Sequence, residues 1–540
     1  MSEAVAISET SFASMSAGAR STRWALAAIV VVGAFLRVAD AGRPFDHRLS
    51  NAWRAADYLQ ISRNFFRGSL NILYPQVDWN ADSPGYVEME LPVLPWLGAA
   101  AGRLLGYQEN YMRFFAAACS LATLMLFVGL VRRLLPPAGA VFAISAFAVN
   151  PLLIRLGNAM QPEPLMMLGC VATACAIERW RRAPSSGRLL TAALLLAVSV
   201  LAKAPAAAMG LVLAFALLRE QGTRAFKRPI NYLAAVVAVG PPLAWFLWAK
   251  QFWRLYGNSL GVSNESHWIS WQMFTPPEFL WGILKWEALA VLTPIGWLLV
   301  LAATRFRRRG VSLAWAWYGA ALAFYLVAGG TSGDDWASYY HCLSVPAACL
   351  LMGGGFSVLV DAVHTSEGSS QLPRGQWIGG LLGVGVIGML AYATGVAIHR
   401  RDHHDELIEM RKCAMQLAEY VPASERILVR GGEAVDEFGR PVAYNEPMIF
   451  AWMDRKGFNY PRHGLTMKSL EQYRRRGARY WVARDEELNR DGLREMVASR
   501  FRKLADCREG AYELFDLDSA VDVMPDRPSD GDPKTSSDSH

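Results

Sequence analysis

Separate apolar stretches, each close to the length needed to cross a lipid bilayer, recur along most of this 540-residue chain. Their hydropathy pattern predicts about eleven membrane-spanning helices. The stretches lie near residues 24–40, 111–131, 137–156, 163–178, 188–202, 204–218, 230–249, 284–303, 311–329, 341–360 and 376–397. Apolar residues make up 53% of the sequence, so no water-soluble form of the chain is expected. We therefore expect an α-helical polytopic membrane protein.

Basic clusters separate alternate apolar stretches. They lie at residues 132–133, 179–182, 219–228 and 305–309. Under the positive-inside rule these connectors share the cytoplasmic side with the N-terminal segment 1–23, whereas the loop 41–110 and the C-terminus lie outside. The formal net charge of +7 is then explained by topology, and no nucleic-acid partner is expected. The first apolar stretch lacks a signal-peptide cleavage pattern, so it is expected to remain as an anchor.

Residues 399–520 differ from the rest of the chain in their mixed charge and short periodic segments. These features predict a soluble extracytoplasmic domain built as a small α/β layer. The expected elements are helix 405–420, strand 425–430, helix 466–477, strand 478–484, helix 490–504 and strand 511–517. The Pro/Ser/Asp-rich tail 521–540 is expected to be disordered.

Two of the seven cysteines, Cys413 and Cys507, lie in this outer domain. In an oxidising compartment they would form a disulfide that ties the first helix of the domain to its last helix or to the turn beyond. The alternative is a pair of buried thiols. The sequence leaves both open.

Charged and aromatic side chains crowd together directly after the first apolar stretch, in residues 44–68. The segment includes Asp46, His47, Trp53, Arg54, Asp57 and Arg63, and the loop continues to Glu88 and Glu90. One interpretation is a solvated loop beside the membrane. The other is a pocket at the interface, because a carboxylate with cations near it suits a transfer reaction on a lipid-linked phosphate.

Several segments follow one another in an order and spacing that resemble a known family. They are 90-ELPVLPWLGAAAGRLLG-106, 111-YMRFFAAACSLATLMLFVGLVRRL-134, 161-QPEPLMML-168, 201-LAKAP-205 and 339-YYHCLSVPA-347. Together with the long acidic loop after the first helix, they resemble the GT-C membrane glycosyltransferases, in the family of the protein O-mannosyltransferases and lipid A aminoarabinose transferases. The resemblance covers roughly residues 24–350, and it implies a transmembrane glycosyltransferase domain over residues 24–398.

The resemblance implies a catalytic carboxylate in the first outer loop. Asp46 resembles a variant arrangement in which the acid precedes a Trp-Arg pair, and Asp57 lies about one helical turn after the family's usual position. Asp46 is our first candidate for the general base and Asp57 the second. The candidate substrate-binding residues are His47, Trp53, Arg54, Arg63, Glu88, Lys203, Tyr339 and Tyr340. Of these, Arg54, Arg63 and Lys203 are the cations expected near the donor phosphate.

The resemblance also implies the substrates. The donor would be a sugar on a polyprenyl phosphate, and the acceptor a lipid or a protein at the outer face of a bacterial inner membrane, in contact with membrane lipids. Glu90 matches a position that looks metal-binding in some relatives, but no His partner follows from spacing, so a divalent metal requirement stays open. No other cofactor is expected.

Two other functions fit parts of the sequence. A glycolipid transporter or flippase would place an ionisable residue in the membrane, for which Lys203 is the main candidate. A non-catalytic envelope assembly protein would use the C-terminal domain to bind a partner. The sequence does not identify the sugar, the acceptor or the oligomeric state.

Overall fold

The computed structural model describes most of the chain. The described residues are 24, 26–39, 41–42, 52–261, 274, 277–306, 309–327, 331–367, 387–388, 391–396, 405–433, 435, 445–462, 465–489, 492–507 and 512–520. Asp46, His47, the N-terminal segment 1–23 and the tail 521–540 therefore lie outside the described residues.

The membrane part is helical. Its helices are α1 (Leu26–Val38), α2 (Ala52–Arg67), α3 (Val93–Leu105), α4 (Asn110–Leu134), α5 (Pro137–Ala148), α6 (Pro151–Leu156), α7 (Glu163–Arg182), α8 (Ser186–Ala202), α9 (Ala208–Gln221), α10 (Pro229–Tyr256), α11 (Pro277–Trp286), α12 (Thr293–Ala303), α13 (Arg309–Val327) and α14 (Val345–Glu367). Short 3-10 segments at Ala204–Ala207, Gly222–Lys227 and Asp335–Leu343 and a π segment at Glu287–Val291 interrupt them.

Helix starts in this bundle follow local sequence signals. Proline occupies the first turn of α5, α6, α7, α10 and α12, where its missing N–H costs no hydrogen bond. The side chain of Asn150 accepts hydrogen bonds from the N–H groups of Leu152 and Leu153 and so caps α6. Ser185 caps α8 in the same way through the N–H of Arg188.

Small residues let the helices pack closely. A Cβ added to Gly139 in α5 would overlap the backbone carbonyl of Gly353 in α14, so the two backbones touch at this point. Elsewhere in the bundle Phe127 of α4 and Phe147 of α5 stack with ring centroids 4.0 Å apart. At the end of α1 the buried Arg37 donates to the carbonyls of Ala148 (2.5 Å) and Phe147 (2.8 Å), which anchors α1 to α5.

The number of spans differs from the expectation of about eleven. Among the described residues, α4, α10, α13 and α14 are long and apolar enough to cross a membrane, and α11 with α12 would add a fifth span bent by 94°. Four shorter apolar helices, α1, α3, α5 and α8, have 10–17 residues each. The count is lower because several of the expected spans form helices too short to cross a membrane alone, and because residues 376–397 fall largely outside the described part. A mostly helical fold with several apolar helices is confirmed.

A five-stranded sheet lies in the predicted outer segment. Its strands are β1 (Ile427–Arg430), β2 (Gly457–Tyr460), β3 (Tyr480–Arg484), β4 (Phe501–Cys507) and β5 (Tyr512–Ala520), in the order β2-β1-β3-β5-β4. The first three strands pair in parallel, and β5 pairs antiparallel with β3 and β4. The helices around the sheet are α15 (Asp405–Ala418), α16 (Pro447–Met453), α17 (Met467–Arg475), α18 (Asp485–Leu488) and α19 (Leu493–Ala498).

The sequence located most of these elements but missed three and misread one. Helix α16, strand β2 and the four-residue helix α18 had no expected counterpart. The expected helix 490–504 is instead the short α19 followed by β4, because pairing with β5 holds residues 501–507 in an extended edge strand. The expected disulfide is present: Cys413 in α15 bonds to Cys507, with their Cα atoms 5.7 Å apart. The disulfide thus ties helix α15 to the end of strand β4, and not to a second helix.

The sheet region packs on α2. Gln60 donates from Nε2 to the carbonyl of Pro447 (2.8 Å), and Arg63 donates from Nη1 to the carbonyl of Ala451 (2.5 Å). One turn further, Arg67 makes two hydrogen bonds to the Asp454 carboxylate, at 2.9 and 2.5 Å. Helix α2 is therefore held between the membrane bundle and the sheet region.

Removing the disulfide should destabilise the sheet region. We expect Cys413→Ser/Cys507→Ser to lower its free energy of unfolding by about 2–5 kcal/mol, because the bridge closes a long loop in the unfolded chain. The measurement is the resistance of the sheet region to proteolysis in increasing concentrations of urea, which gives the urea midpoint of its unfolding. Cys119→Ser, which changes a half-buried free thiol in α4, is the control and should leave the urea midpoint unchanged. An unchanged midpoint in the double variant would contradict the prediction.

Candidate active site

Helix α2 presents a polar cluster on its buried face. Arg54, Asp57 and Tyr58 are spaced three and four residues apart, about one helical turn. Their side chains therefore point to the same side of the helix. That side faces the loop around Glu90 and the segment after α10 that contains Leu260. The cluster is thus enclosed by three different parts of the chain.

Arg54 is the cation of this cluster. Its Nη2 donates to the carbonyl of Leu260 (2.7 Å), while Nη1 is buried and has no hydrogen-bond partner among the described residues. Burial alone would lower the pKa of Arg54, but the carboxylates of Glu90 and Asp57 raise it above its usual value. Arg54 therefore stays charged and keeps one N–H group available for an anionic ligand.

Asp57 is almost completely buried, with 1% of its surface exposed. Its Oδ1 accepts hydrogen bonds from Trp79 Nε1 (3.2 Å) and from Asn445 Nδ2 (3.4 Å). Burial raises the pKa of Asp57 to about 7, although the Arg54 charge and the Trp79 hydrogen bond act in the opposite direction. A carboxyl group with a pKa near neutrality is suited to take up a proton during a reaction.

Two glutamates of the outer loop have different environments. Glu90 accepts a hydrogen bond from the Tyr58 hydroxyl (2.7 Å) and interacts with Arg54, so it belongs to the cluster. Glu88 instead accepts from the Ser259 hydroxyl (2.7 Å) and pairs through its backbone with Asn258 and Leu260. Glu88 therefore fixes the chain segment that provides the Leu260 carbonyl.

Lys203 forms the second cationic centre. It sits at the break between α8 and the 3-10 segment Ala204–Ala207, where Pro205 prevents a continuous helix. Its Nζ pairs with the carboxylate of Glu163, the first residue of α7. The same Nζ lies 4.3 Å from the ring centroid of Tyr339 and 4.9 Å from that of Tyr340. Lys203 also lies close enough to Glu90 and Arg54 to be influenced by their charges, so the two cationic centres are neighbours.

A buried hydrogen-bond network supports the two tyrosines. Glu287, in the π segment, accepts from Tyr318 (2.8 Å) and Ser344 (2.8 Å) and lies 2.7 Å from Nδ1 of His341. The other ring nitrogen of His341, Nε2, donates to the Ser332 carbonyl (2.9 Å). Because Nε2 carries a hydrogen, one further proton is shared between Nδ1 and the Glu287 carboxyl group. The network fixes the 3-10 segment that carries Tyr339 and Tyr340.

The structure brings together six of the residues predicted from the sequence. They are Arg54, Asp57, Glu90, Lys203, Tyr339 and Tyr340. Arg63 binds Ala451 and Asp454 instead, and Trp53 is 38% exposed. Asp46 and His47, which precede α2 in the sequence, stay predictions.

Sequence reasoning missed four residues that contact this cluster. They are Tyr58, Trp79, Glu163 and Asn445. Glu163 had a signal, since it lies in the quoted segment 161–168 and is an acidic residue at a helix start. Asn445 had none, because it lies 388 residues from Asp57 in the sequence.

The described residues do not fit a metal site. No group of three or more His, Cys, Asp or Glu side chains that could hold an ion occurs in the part of the chain that the structure describes. Glu90 is instead bound by the Tyr58 hydroxyl and influenced by the charges of Arg54 and Lys203. The assignment of Glu90 to a metal therefore stays a prediction.

The overall fold of the chain is similar to that of several solved structures. ArnT from Cupriavidus metallidurans in the apo state matches with a TM-score of 0.59 at 15% identity, covering 92% of this chain and 98% of that one. The same protein bound to undecaprenyl phosphate matches with a TM-score of 0.58 at 14% identity, covering 91% and 97%. The Archaeoglobus fulgidus oligosaccharyltransferase tethered to an acceptor peptide matches at 0.55 with 12% identity, covering 89% and 72%. The chain thus has the fold of the GT-C membrane glycosyltransferases.

Residues 83–248 match the family described as dolichyl-phosphate-mannose-protein mannosyltransferase. This segment therefore matches a glycosyltransferase family, and the enzyme class predicted from the sequence, a glycosyltransferase, is confirmed. No curated protein sequence shows a significant match to the chain.

Breaking the Lys203–Glu163 pair should destabilise the bundle. We expect Lys203→Met alone to cost about 3–5 kcal/mol in the free energy of unfolding, because it leaves the Glu163 carboxylate buried and uncompensated. Lys203→Met/Glu163→Gln should recover most of that loss, since both charges are then removed. Thermal unfolding in detergent measures this difference. A double variant as unstable as the single one would show that the pair is not the source of the effect.

Proposed function

We propose that the chain transfers a sugar from a polyprenyl-phosphate donor to an acceptor hydroxyl at the outer face of a bacterial inner membrane. The observation that carries this proposal is the buried Asp57 carboxyl group close enough to Arg54 to be influenced by its charge, together with Arg54 Nη1, which has no hydrogen-bond partner among the described residues. A carboxyl group with a near-neutral pKa beside a guanidinium that can bind an anion supplies the two groups that such a transfer needs. Support for the donor class comes from the undecaprenyl phosphate bound by a structure of the same fold.

The donor phosphate would lie between Arg54 and Lys203. Arg54 offers Nη1 for a phosphate oxygen, and Lys203 adds positive charge next to the Tyr339 and Tyr340 rings. As the bond from the anomeric carbon to the phosphate oxygen breaks, negative charge grows on the phosphate, and these cations stabilise it. The departing polyprenyl phosphate is a stable anion, so no strong acid is required.

The acceptor hydroxyl would be activated by Asp57. Its oxygen attacks the anomeric carbon as the carboxylate takes up the hydroxyl proton, so one C–O bond forms while one breaks. A single displacement of this kind inverts the anomeric centre, by analogy with the inverting glycosidases. Trp79 and Asn445 both donate to Oδ1 and thereby orient the carboxyl group. Asp46 is the other candidate for this role.

The basic connectors also bear on which side of the membrane each part of the chain lies. We infer from the basic connectors that the N-terminus is cytoplasmic and that the site at α2 and the segment 399–520 are extracytoplasmic. The sheet region then forms a soluble α/β domain that covers the site through Asn445. The transporter and assembly functions have less support, because neither requires a carboxyl group of near-neutral pKa beside a guanidinium nitrogen that has no hydrogen-bond partner among the described residues.

Replacing the general base should abolish transfer while donor binding is retained. We expect Asp57→Asn to lower turnover by about 10²–10⁴-fold, with little change in donor affinity. Labelled sugar transferred from a polyprenyl-phosphate donor, measured in washed membranes, reports turnover. Asp46→Asn is tested in parallel, because a large loss there with a normal rate for Asp57→Asn would assign the role to Asp46.

Asp78→Asn is the matched control for Asp57→Asn. Asp78 is also buried, its pKa is raised to about 6, mainly by burial, and it hydrogen-bonds Asn64 rather than facing Arg54. Its conservative replacement should leave turnover near that of the wild type. If Asp46→Asn and Asp57→Asn both keep wild-type rates, the proposed mechanism is wrong.

The rate should depend on pH through Asp57. Only the ionised carboxylate accepts a proton, so kcat/KM should rise as pH increases through about 7, the pKa of Asp57 in the folded protein. The donor is a phosphodiester and does not titrate in this range. The rise should persist in Asp78→Asn, because Asp78 does not contact the reacting groups. A flat profile between pH 5 and 8, which brackets about 7, would contradict this role of Asp57.

A further inference from the structure

A groove opens at the far end of the bundle from the proposed active site. Its volume is about 360 Å³, and it lies where α7 packs between α4 and α8. Glu163 begins α7 beside Lys203, whereas Arg179 of the groove lies near the other end of the same helix, roughly 24 Å away at 1.5 Å per residue. The groove therefore has no part in the proposed transfer.

The groove is apolar along its length and basic at its mouth. Its floor is Ala172, Cys175 and Ala176 of α7, closed by a contact from the Cys175 thiol to the Leu126 carbonyl at 3.7 Å. The walls come from α4 and α8 and include Met125, Leu126, Gly129, Thr191 and Leu195. Three exposed arginines, Arg133, Arg179 and Arg188, line the mouth.

The mouth carries unneutralised positive charge. The nearby acids are already paired: Glu178 binds Arg181 (3.3 Å) and Arg182 (2.8 Å), and Glu220 binds Arg181 (3.1 Å). The guanidinium groups of Arg133 and Arg179 make no ion pair or hydrogen bond with any other described residue. An anion would therefore find two available guanidinium groups at the end of an apolar channel.

We propose that this groove binds an anionic phospholipid. The phosphate would lie between Arg133 and Arg179, and an acyl chain would follow the groove past Gly129. A soluble anion would use only the mouth and leave the apolar walls unfilled, whereas a phospholipid fills both. The groove is also open at the outer, apolar surface of the bundle, since Met125 of its α4 wall is 60% exposed and Leu194, next to the lining residue Leu195 in α8, is 54% exposed. Basic pockets between membrane helices commonly bind acidic lipid headgroups in this way.

The test uses the full-length protein in neutral detergent. Native mass spectrometry counts the molecules retained after addition of phosphatidylglycerol, or of phosphatidylcholine with the same acyl chains. We expect the wild type to retain phosphatidylglycerol and to lose phosphatidylcholine. Arg133→Gln/Arg179→Gln should weaken phosphatidylglycerol binding about 30-fold, which corresponds to about 2 kcal/mol. Unchanged retention in this variant would overturn the proposal.

Two further variants separate the groove from general surface charge. Arg132→Gln/Arg219→Gln removes the same charge from exposed arginines at this end of the bundle that do not line the groove, and it should retain the lipid. Gly129→Phe keeps all three arginines of the mouth and fills the channel, since a Cβ at Gly129 meets no other atom within 4 Å, and it should lose the lipid. If the control loses the lipid or the filled variant keeps it, binding is not in the groove and the proposal fails.

Residues 1–23 are the competing occupant. They contain acidic residues and lie outside the described part of the chain. If the full-length protein retains no phosphatidylglycerol but a variant without residues 1–23 does, that segment rather than a lipid fills the groove. Equal retention by both proteins supports the lipid.

Discussion

Backbone that leaves the helix inside an apolar bundle must satisfy its polar groups within the protein, and this constraint shapes the centre of the structure. Two helical runs break: α8 ends at Lys203, and α11 passes through the π segment Glu287–Val291 before α12. Both breaks meet the 3-10 segment Asp335–Leu343. At the first break Lys203 pairs with Glu163 at the start of α7. At the second break Glu287 lies next to His341 of the 3-10 segment.

The consequence is a rigid support for one side of the candidate site. The Glu287 network fixes His341, and the neighbouring Tyr339 and Tyr340 pack their rings against the Lys203 ammonium group. Buried polar groups that are fully paired specify one arrangement, because each alternative leaves a donor or acceptor unsatisfied. The cation proposed to bind phosphate is therefore held by contacts that extend deep into the bundle.

The other side of the site depends on the sheet region. The outer loop joins the sheet edge through hydrogen bonds from Gly457 N to the Asp78 carbonyl (2.8 Å) and from Asn459 N to the Trp79 carbonyl (3.2 Å). Trp79 then donates to Asp57 from the loop, and Asn445 does so from the chain entering α16. Both hydrogen bonds to the proposed base thus depend on how the sheet region docks on α2. A substitution at that interface would therefore change the hydrogen bonds of the Asp57 carboxyl group without contacting it directly.

Sequence alone determined the features that depend on local composition and spacing. Apolar stretches indicated a helical membrane protein, the mixed-charge segment after residue 399 indicated a change of structure, and Cys413 was matched with Cys507. Family resemblance and polar crowding pointed to Arg54, Asp57 and Lys203. Tertiary structure decided the partners: Glu163 for Lys203, and Asn445 for Asp57 across 388 residues. It also made residues 501–507 a strand through pairing with β5. Pattern and composition act over a few neighbouring residues, whereas a buried charge or an edge strand is stabilised by whichever distant group the fold places beside it.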